Sequence, residues 1–205
     1  MPASHPIGQH VYDPLLRLIH AWNALAILGL AITAQLAEGF EHGPWEPFLW
    51  RLHIQFGYAL IGGLVARFLW GLVGPATARW SDLWHPREWA AMLRGRLSFP
   101  PRFGHDVRAS AAFLALYAVL LAMAGSGLAL AAIEHNLGPL TASLGDDTGL
   151  KHFFKEPHEV GFALVLGFIA LHLGALAFHR FVLRNPVDQA MVTGIQHFPK
   201  ETHHA

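Results

Sequence analysis

Four long runs of apolar residues dominate the chain, and short polar segments separate them. The runs extend over Leu15–Leu36, Phe48–Val73, Ala109–Ile133 and Pro157–Leu183. A helix needs about 20 apolar residues to cross the roughly 30 Å hydrocarbon core of a bilayer, and each run is that long. The pattern therefore predicts an all-α fold, an integral membrane four-helix transmembrane bundle over residues 1–184 with a tail over residues 185–205.

Two polar segments carry structural expectations of their own. The linker between the second and third runs is rich in proline and contains amphipathic stretches, which predict a short interfacial helix within Trp84–Leu97. The tail is expected to lie on the surface or to lack a fixed structure, because it has no apolar run of its own.

Charge is distributed unevenly between the two sides of the predicted membrane. The loop after the first span is acidic, with Glu38, Glu41 and Glu46, whereas the tail begins with Arg180 and Arg184. The linker after the second span is rich in arginine: Arg79, Arg87, Arg94, Arg96, Arg102 and Arg108. By the positive-inside rule, we expect this linker and both termini to face the cytoplasm.

Composition excludes several classes of protein. The 205 residues are 53% hydrophobic and 14% charged, which is too apolar for an ordinary soluble domain. The formal net charge is zero, so no excess of basic residues points to nucleic acid. The chain has no cysteine, which excludes disulfides, cysteine-ligated iron–sulfur clusters and covalently attached c-type haem.

Histidines within the apolar runs are the candidate functional residues. His158 and His172 are fourteen residues apart in the fourth run, so they share a helix face about 21 Å apart along the axis. His20 lies near the start of the first run and His53 near the start of the second. Depth in the membrane then pairs His53 with His158 toward the outside and His20 with His172 toward the inside. Two bis-histidine b-type haems, bound without covalent bonds and suited to electron transfer, would account for the four residues.

Alternatives to this ligand set stay open from spacing alone. His179 lies seven residues after His172 on roughly the same face, so it competes for the inner position. A membrane histidine can also be a hydrogen-bonded packing residue or part of a proton pathway. A histidine-based metal transporter would be expected to place acidic residues or cysteines at mid-membrane, and the four runs have almost none.

Three arginines are candidates for binding the propionates of a haem. Arg67 follows His53 by fourteen residues, which places it on the same face at the depth of the inner centre. A guanidinium can bind a carboxylate with two parallel hydrogen bonds, although Arg67 could instead extend to the inner headgroups. Arg17 and Arg51 are weaker candidates for the same role at the two surfaces.

Glycines near two of the histidines have two possible roles. Gly57 lies one turn from His53, and Gly161 lies one turn from His158. Small residues allow close packing of membrane helices, and they would also leave room for a flat macrocycle between helices. The two roles are compatible with each other.

Several motifs follow one another along the chain, and the first is the segment from Val11 to His20 (VYDPLLRLIH). This segment resembles the first span of the bacterial cytochrome b561 family, and most of all that of the b-type cytochrome subunits of nickel–iron hydrogenases. Further matching positions are Arg51-Leu52-His53, Tyr58, Arg67, Trp70, Gly74 with Ala78-Arg79-Trp80, Gly104-His105-Asp106, His158, His172, Arg180 and the six residues QAMVTG from Gln189 to Gly194. One departure is Ala21, where the family commonly has tryptophan.

This resemblance implies a four-helix membrane bundle in the bacterial cytoplasmic membrane with two b haems. It implies His20, His53, His158 and His172 as ligands, which favours His172 over His179. The implied function is an electron-transfer subunit between quinone and an outer-face redox partner: a hydrogenase, another dehydrogenase or a c-type cytochrome. A stand-alone superoxide or quinone oxidoreductase is the alternative within the family.

Overall fold

The computed structural model describes residues 7–96, 106–145, 147–184 and 187–198, and these are mostly helical. The helices are α1 (Pro14–Gly39), α2 (Glu46–Val73), α3 (Pro86–Leu93), α4 (Val107–His135), α5 (Thr141–Leu144), α6 (Lys151–Phe181) and α7 (Gln189–Thr193). The strands are β1 (Ile7–His10) and β2 (Ile195–Phe198). The predicted motif residues Gly104 and His105 and the linker residue Arg102 lie outside the described residues.

Four of these helices are long and apolar enough to cross a membrane. They are α1, α2, α4 and α6, with 26, 28, 29 and 31 residues and mean hydropathies between 1.6 and 2.2. The prediction of an all-α fold with four spans is therefore confirmed, and the protein is a multi-pass membrane protein. The predicted linker helix also exists, as α3.

The ends of two long helices show how the sequence sets their boundaries. Asp13 begins α1, because its Oδ1 atom accepts hydrogen bonds from the backbone nitrogens of Leu15 and Leu16, both at 3.0 Å. Helix α6 begins at Lys151, six residues before the predicted start at Pro157. Proline inside a helix removes one backbone hydrogen bond, and α6 continues through Pro157.

The chain divides into two compact units. The first unit consists of the described residues within Met1–Leu18, Leu69–Leu114 and Phe168–Ala205. The second unit consists of those within Ile19–Phe68 and Ala115–Gly167.

The first unit joins the two ends of the chain. Strands β1 and β2 pair antiparallel, with Gly8 opposite His197. The backbone nitrogens of Val11 and Tyr12 both donate to the carbonyl oxygen of Gly194, at 2.8 and 3.2 Å. Gly194 has a φ of +84°, which a residue with a side chain rarely adopts. Residues 189–198 of the expected surface tail thus form a helix and a strand that are paired with the N-terminal segment.

Small residues set the helix contacts of the second unit. A side chain at Gly63 would overlap Asn23 and Trp22, and one at Gly29 would overlap the ring of Phe56. The indole nitrogen of Trp22 donates to the carbonyl oxygen of Ala59 at 2.8 Å. These contacts let α1 and α2 approach closely, as is typical of membrane helices.

Candidate functional site

The second unit contains a cavity of about 720 Å³ that both predicted outer ligands line. Helix α2 supplies His53 and α6 supplies His158, and both rings are half-buried. The lining is apolar along the helices, with Leu60, Leu120 and Val165, and polar where the helices begin and end. A cavity of this size and mixed lining is typical of a site for a cofactor-sized ligand.

The ring of His53 is held at its Nδ1 atom by two acceptors on α1. Its Nδ1 lies 3.1 Å from the carbonyl oxygen of Leu30 and 3.2 Å from the hydroxyl oxygen of Thr33. The Thr33 hydroxyl donates to the carbonyl oxygen of Gly29 at 2.7 Å, so its lone pairs are available to accept. The proton of the neutral His53 ring is therefore assigned to Nδ1.

The ring of His158 is held in the same way from α4. Its Nδ1 lies 2.9 Å from the hydroxyl oxygen of Ser126, which in turn donates to the carbonyl oxygen of Met123 at 3.2 Å. Gly127 leaves room for this ring, because a Cβ atom there would lie 3.2 Å from the Cε1 atom of His158. The same assignment of the proton to Nδ1 follows.

Both rings are thus in the state that metal ligation through Nε2 requires. A histidine that binds a metal through one nitrogen usually donates the hydrogen of the other to a carbonyl or similar acceptor, which fixes the tautomer and the ring orientation. Sequence reasoning did not find Thr33 or Ser126. A hydroxyl in an apolar helix ordinarily bonds only to its own backbone, so nothing in the local pattern marks these two.

The two glycines near the histidines turn out to have different roles. Gly57 lines the cavity, and a Cβ atom placed on it would meet nothing within 4 Å. A Cβ atom on Gly161 would instead overlap the side chain of Met123. Gly57 therefore keeps space open in the cavity, whereas Gly161 is a packing residue that brings α4 and α6 together.

Trp50 and His135 also belong to this cavity. The Trp50 ring lies edge-on to the ring of His53, with 5.6 Å between the ring centroids. The centroid of the His135 ring lies 5.5 Å from that of Trp50. The predicted third run ends at Ile133, and α4 extends two residues further to His135. The helical spacing of Leu128, Ala131 and His135 is the signal that could have indicated it.

The basic residues that line the cavity differ from those predicted. Lys151, Lys155 and His158 follow one another at helical spacing on one face of α6, and both lysines line the cavity. The Nζ atom of Lys151 lies 3.4 Å from a carboxylate oxygen of Glu134. Arg51, the predicted cation at this surface, lines a separate pocket of about 330 Å³ with Tyr58 and Gly138.

The other two predicted arginines are engaged by protein groups. Arg67 is only 3% exposed, and its guanidinium carbon lies 5.8 Å from the centroid of the Tyr117 ring in the second unit. This burial is inconsistent with extension to the headgroups. In the first unit, Arg17 donates from Nη1 to the carbonyl oxygen of Val192 at 2.8 Å. Its visible role is to hold the C-terminal segment.

The predicted inner ligands have surroundings of a different kind. His172 lies in the first unit, stacked on Phe168 with 6.0 Å between centroids and edge-on to Phe113 at 6.2 Å. The ring centroid of His179, the alternative inner ligand, lies 6.3 Å from that of Phe178. His20 is exposed on α1. The pairing of His20 with His172 stays a prediction.

Comparisons with known proteins agree with the motif resemblance. Residues 11–194 match the sequence profile of the family described as prokaryotic cytochrome b561. The chain is 25% identical to a probable Ni/Fe-hydrogenase B-type cytochrome subunit from Azotobacter chroococcum mcd 1, over 92% of this chain and 88% of that relative. No solved structure matches the chain.

Proposed function

The chain belongs to the prokaryotic cytochrome b561 family, and on that premise we propose that it is a membrane electron-transfer subunit. It would carry electrons between quinone and a redox partner on the outer face of the bacterial cytoplasmic membrane. The observation that carries the proposal is the placement of His53 and His158 in one cavity, each with Nδ1 hydrogen-bonded. Membership of the family implies haem b, which supplies one-electron iron chemistry when it is bound.

The donor set of the cavity fits haem b. Two neutral imidazoles, those of His53 and His158, could ligate the iron of a haem, and two histidine ligands favour electron transfer over binding of a substrate at the metal. The open space beside Gly57 accommodates a flat group, and apolar residues such as Leu60 and Val165 exclude water from it. We assign binding of the outer haem to His53 and His158.

The polar end of the cavity would hold the propionates. Among the described residues, two lysines and no arginine line this cavity. The lysines are Lys151 and Lys155. Each ammonium can donate to a carboxylate, and a propionate there would also remain close to water. We therefore replace Arg51 with these two lysines as the cations at the outer haem.

A second haem b bound by His20 and His172 completes the proposal. Matched depth in the membrane and the family resemblance support this pair. Arg67 remains the candidate for its propionates, because a buried guanidinium in a membrane helix is favoured by a nearby anion. The arginine-rich linker, both termini and the tail over residues 185–205 would face the cytoplasm.

The name of the relative suggests the donor. A hydrogenase at the outer face is the partner we propose, with another dehydrogenase or a c-type cytochrome as alternatives. A stand-alone superoxide or quinone oxidoreductase is the second candidate, and it needs no partner subunit. Reduction of the haems by a quinol analogue in lipid nanodiscs tests the quinone role that both candidates share, and oxidised haem after that addition would contradict it.

The haem assignment is tested with the purified full-length protein in detergent. We expect a low-spin b-type spectrum after dithionite reduction and about two haems per chain by the pyridine haemochrome assay. His158→Ala should remove one of them. His152→Ala is the matched control, because His152 is exposed on the same helix and does not line the cavity. Unchanged haem content in His158→Ala would rule out this ligand.

A further inference from the structure

We propose that Thr33 and Ser126 are positioning residues that fix the tautomer and orientation of the two outer haem ligands. The inference rests on the proposed function, because it takes His53 and His158 as ligands of one haem b. Each hydroxyl would accept the Nδ1 hydrogen of its histidine and leave the Nε2 lone pair directed at the iron. Neither residue touches the metal in this arrangement.

The direction of each hydrogen bond follows from the other partner of the hydroxyl. Thr33 is 3% exposed, and its hydroxyl hydrogen is used by the carbonyl oxygen of Gly29 at 2.7 Å. The hydroxyl hydrogen of Ser126 is used by the carbonyl oxygen of Met123 at 3.2 Å. With its hydrogen directed to a carbonyl, each oxygen is assigned as the acceptor for the histidine that faces it.

Each of these contacts joins two helices at the wall of the cavity. Thr33 on α1 holds His53 on α2 at 3.2 Å, and Ser126 on α4 holds His158 on α6 at 2.9 Å. The ligand ring and its acceptor thus come from different helices in both cases. Binding of a metal group at Nε2 would depend on how well these helix pairs are held together.

The two histidines are not held equally. His53 has a second acceptor in the carbonyl oxygen of Leu30 at 3.1 Å, so loss of the Thr33 hydroxyl leaves one hydrogen bond intact. For His158 the hydroxyl of Ser126 lies at 2.9 Å, and the backbone of Met123 interacts with the ring as well. The Ser126 contact is shorter than the 3.2 Å contact between Thr33 and His53. We therefore expect Ser126→Ala to have the larger effect.

The test compares Ser126→Ala and Thr33→Val with a serine whose described hydrogen bond lies within its own helix. Ser110 is fully buried, and its hydroxyl donates to the carbonyl oxygen of Val107 at 2.8 Å within α4, so Ser110→Ala is the matched control. Haem content per chain, the midpoint potential of each haem and the low-spin EPR signal are measured on the purified holoprotein. Ser126→Thr and Thr33→Ser retain a hydroxyl and should restore all three.

We expect Ser126→Ala to retain haem b while the midpoint potential of one haem rises and its EPR signal shifts. The potential rises because a ligand that no longer donates from Nδ1 is a poorer electron donor to ferric iron. Haem affinity should fall about 10- to 100-fold, the usual effect of losing such an outer partner. Thr33→Val should shift the same quantities less.

Two results separate failure of this inference from failure of the proposed function. Normal haem content with an unchanged potential and EPR signal in both Ser126→Ala and Thr33→Val would overturn the positioning role and leave the ligand assignment intact. Unchanged haem in His53→Ala and His158→Ala would overturn the ligands themselves. If Ser126→Ala does not fold, the Thr33→Val and Thr33→Ser pair decides the question with the same measurements.

Discussion

His53 and His158 in the second unit are surrounded by hydrogen-bond acceptors and open space, whereas His172 in the first unit is packed against phenyl rings. Apolar packing fixes the plane of an imidazole but does not decide which nitrogen carries the proton. A hydroxyl or carbonyl acceptor fixes both the ring plane and the nitrogen that carries the proton. The comparison indicates that hydrogen bonds fix both the tautomer and the ring orientation of His53 and His158, whereas the described contacts of His172 fix its ring orientation alone.

The sharpest way to break this comparison is to remove each ligand and supply imidazole from solution. We expect His158→Gly and His172→Gly each to lose about one of two haems per chain, as measured by pyridine haemochrome. Added imidazole should restore the haem of His158→Gly at a concentration about fivefold lower than for His172→Gly. Ser126 remains to accept the N–H of the imidazole, and one hydrogen bond contributes about 1 kcal/mol. If the same imidazole concentration restored haem in both variants, the hydrogen bond to Ser126 would have no effect on ligand binding.

A side chain that fills the cavity should have the next largest effect. Gly57→Leu would project into the open space beside His53 and prevent the outer haem from binding, so haem per chain should fall by about one. Gly62→Leu is the control, because a Cβ atom placed on Gly62 would likewise meet nothing within 4 Å, and Gly62 does not line the cavity. Similar haem loss in both would mean that the helix, not the cavity, had been disturbed.

The spans and two of the site histidines could be predicted from sequence for a simple reason. The length of an apolar run reflects the thickness of the bilayer, and matched depth in two spans predicts that His53 and His158 lie close together. The features that the sequence does not predict lie where helices extend beyond the apolar runs or contact one another. The polar first turns of α6 placed Lys151 and Lys155 on the face of His158, and hydropathy does not detect such turns.

Long-range pairing escaped prediction for a related reason. Strands β1 and β2 have four residues each and lie near opposite ends of the chain, so no local pattern connects them. Thr33 and Ser126 likewise acquire their roles only when α1 meets α2 and α4 meets α6. The residues that hold a ligand are harder to predict than the ligand, since their chemistry depends on a second helix.

The lysines allow a finer test of the polar end of the cavity. Lys155→Gln should speed loss of the outer haem to apomyoglobin by up to about fivefold, because a partly exposed ion pair contributes about 0.2–1 kcal/mol. Lys151→Gln should act in the same direction. Arg51→Gln is the control, since Arg51 lines the separate pocket. A larger effect from Arg51→Gln would return the propionate role to that residue.

A separate effect, on stability and not on haem binding, concerns the first unit, where the half-buried phenol of Tyr12 lies next to the joined chain ends. Burial, with a smaller contribution from Asp82, raises the pKa of Tyr12 to about 12, and its backbone nitrogen donates to Gly194. Because the folded-state pKa exceeds the unfolded value of about 10, this stabilisation is complete below pH 10 and is lost as the pH rises to 12. Two pKa units correspond to about 2.7 kcal/mol at most. Thermal unfolding between pH 8 and 11 should therefore show a decline that Tyr12→Phe removes, and a decline of equal size in Tyr12→Phe would assign it to another group.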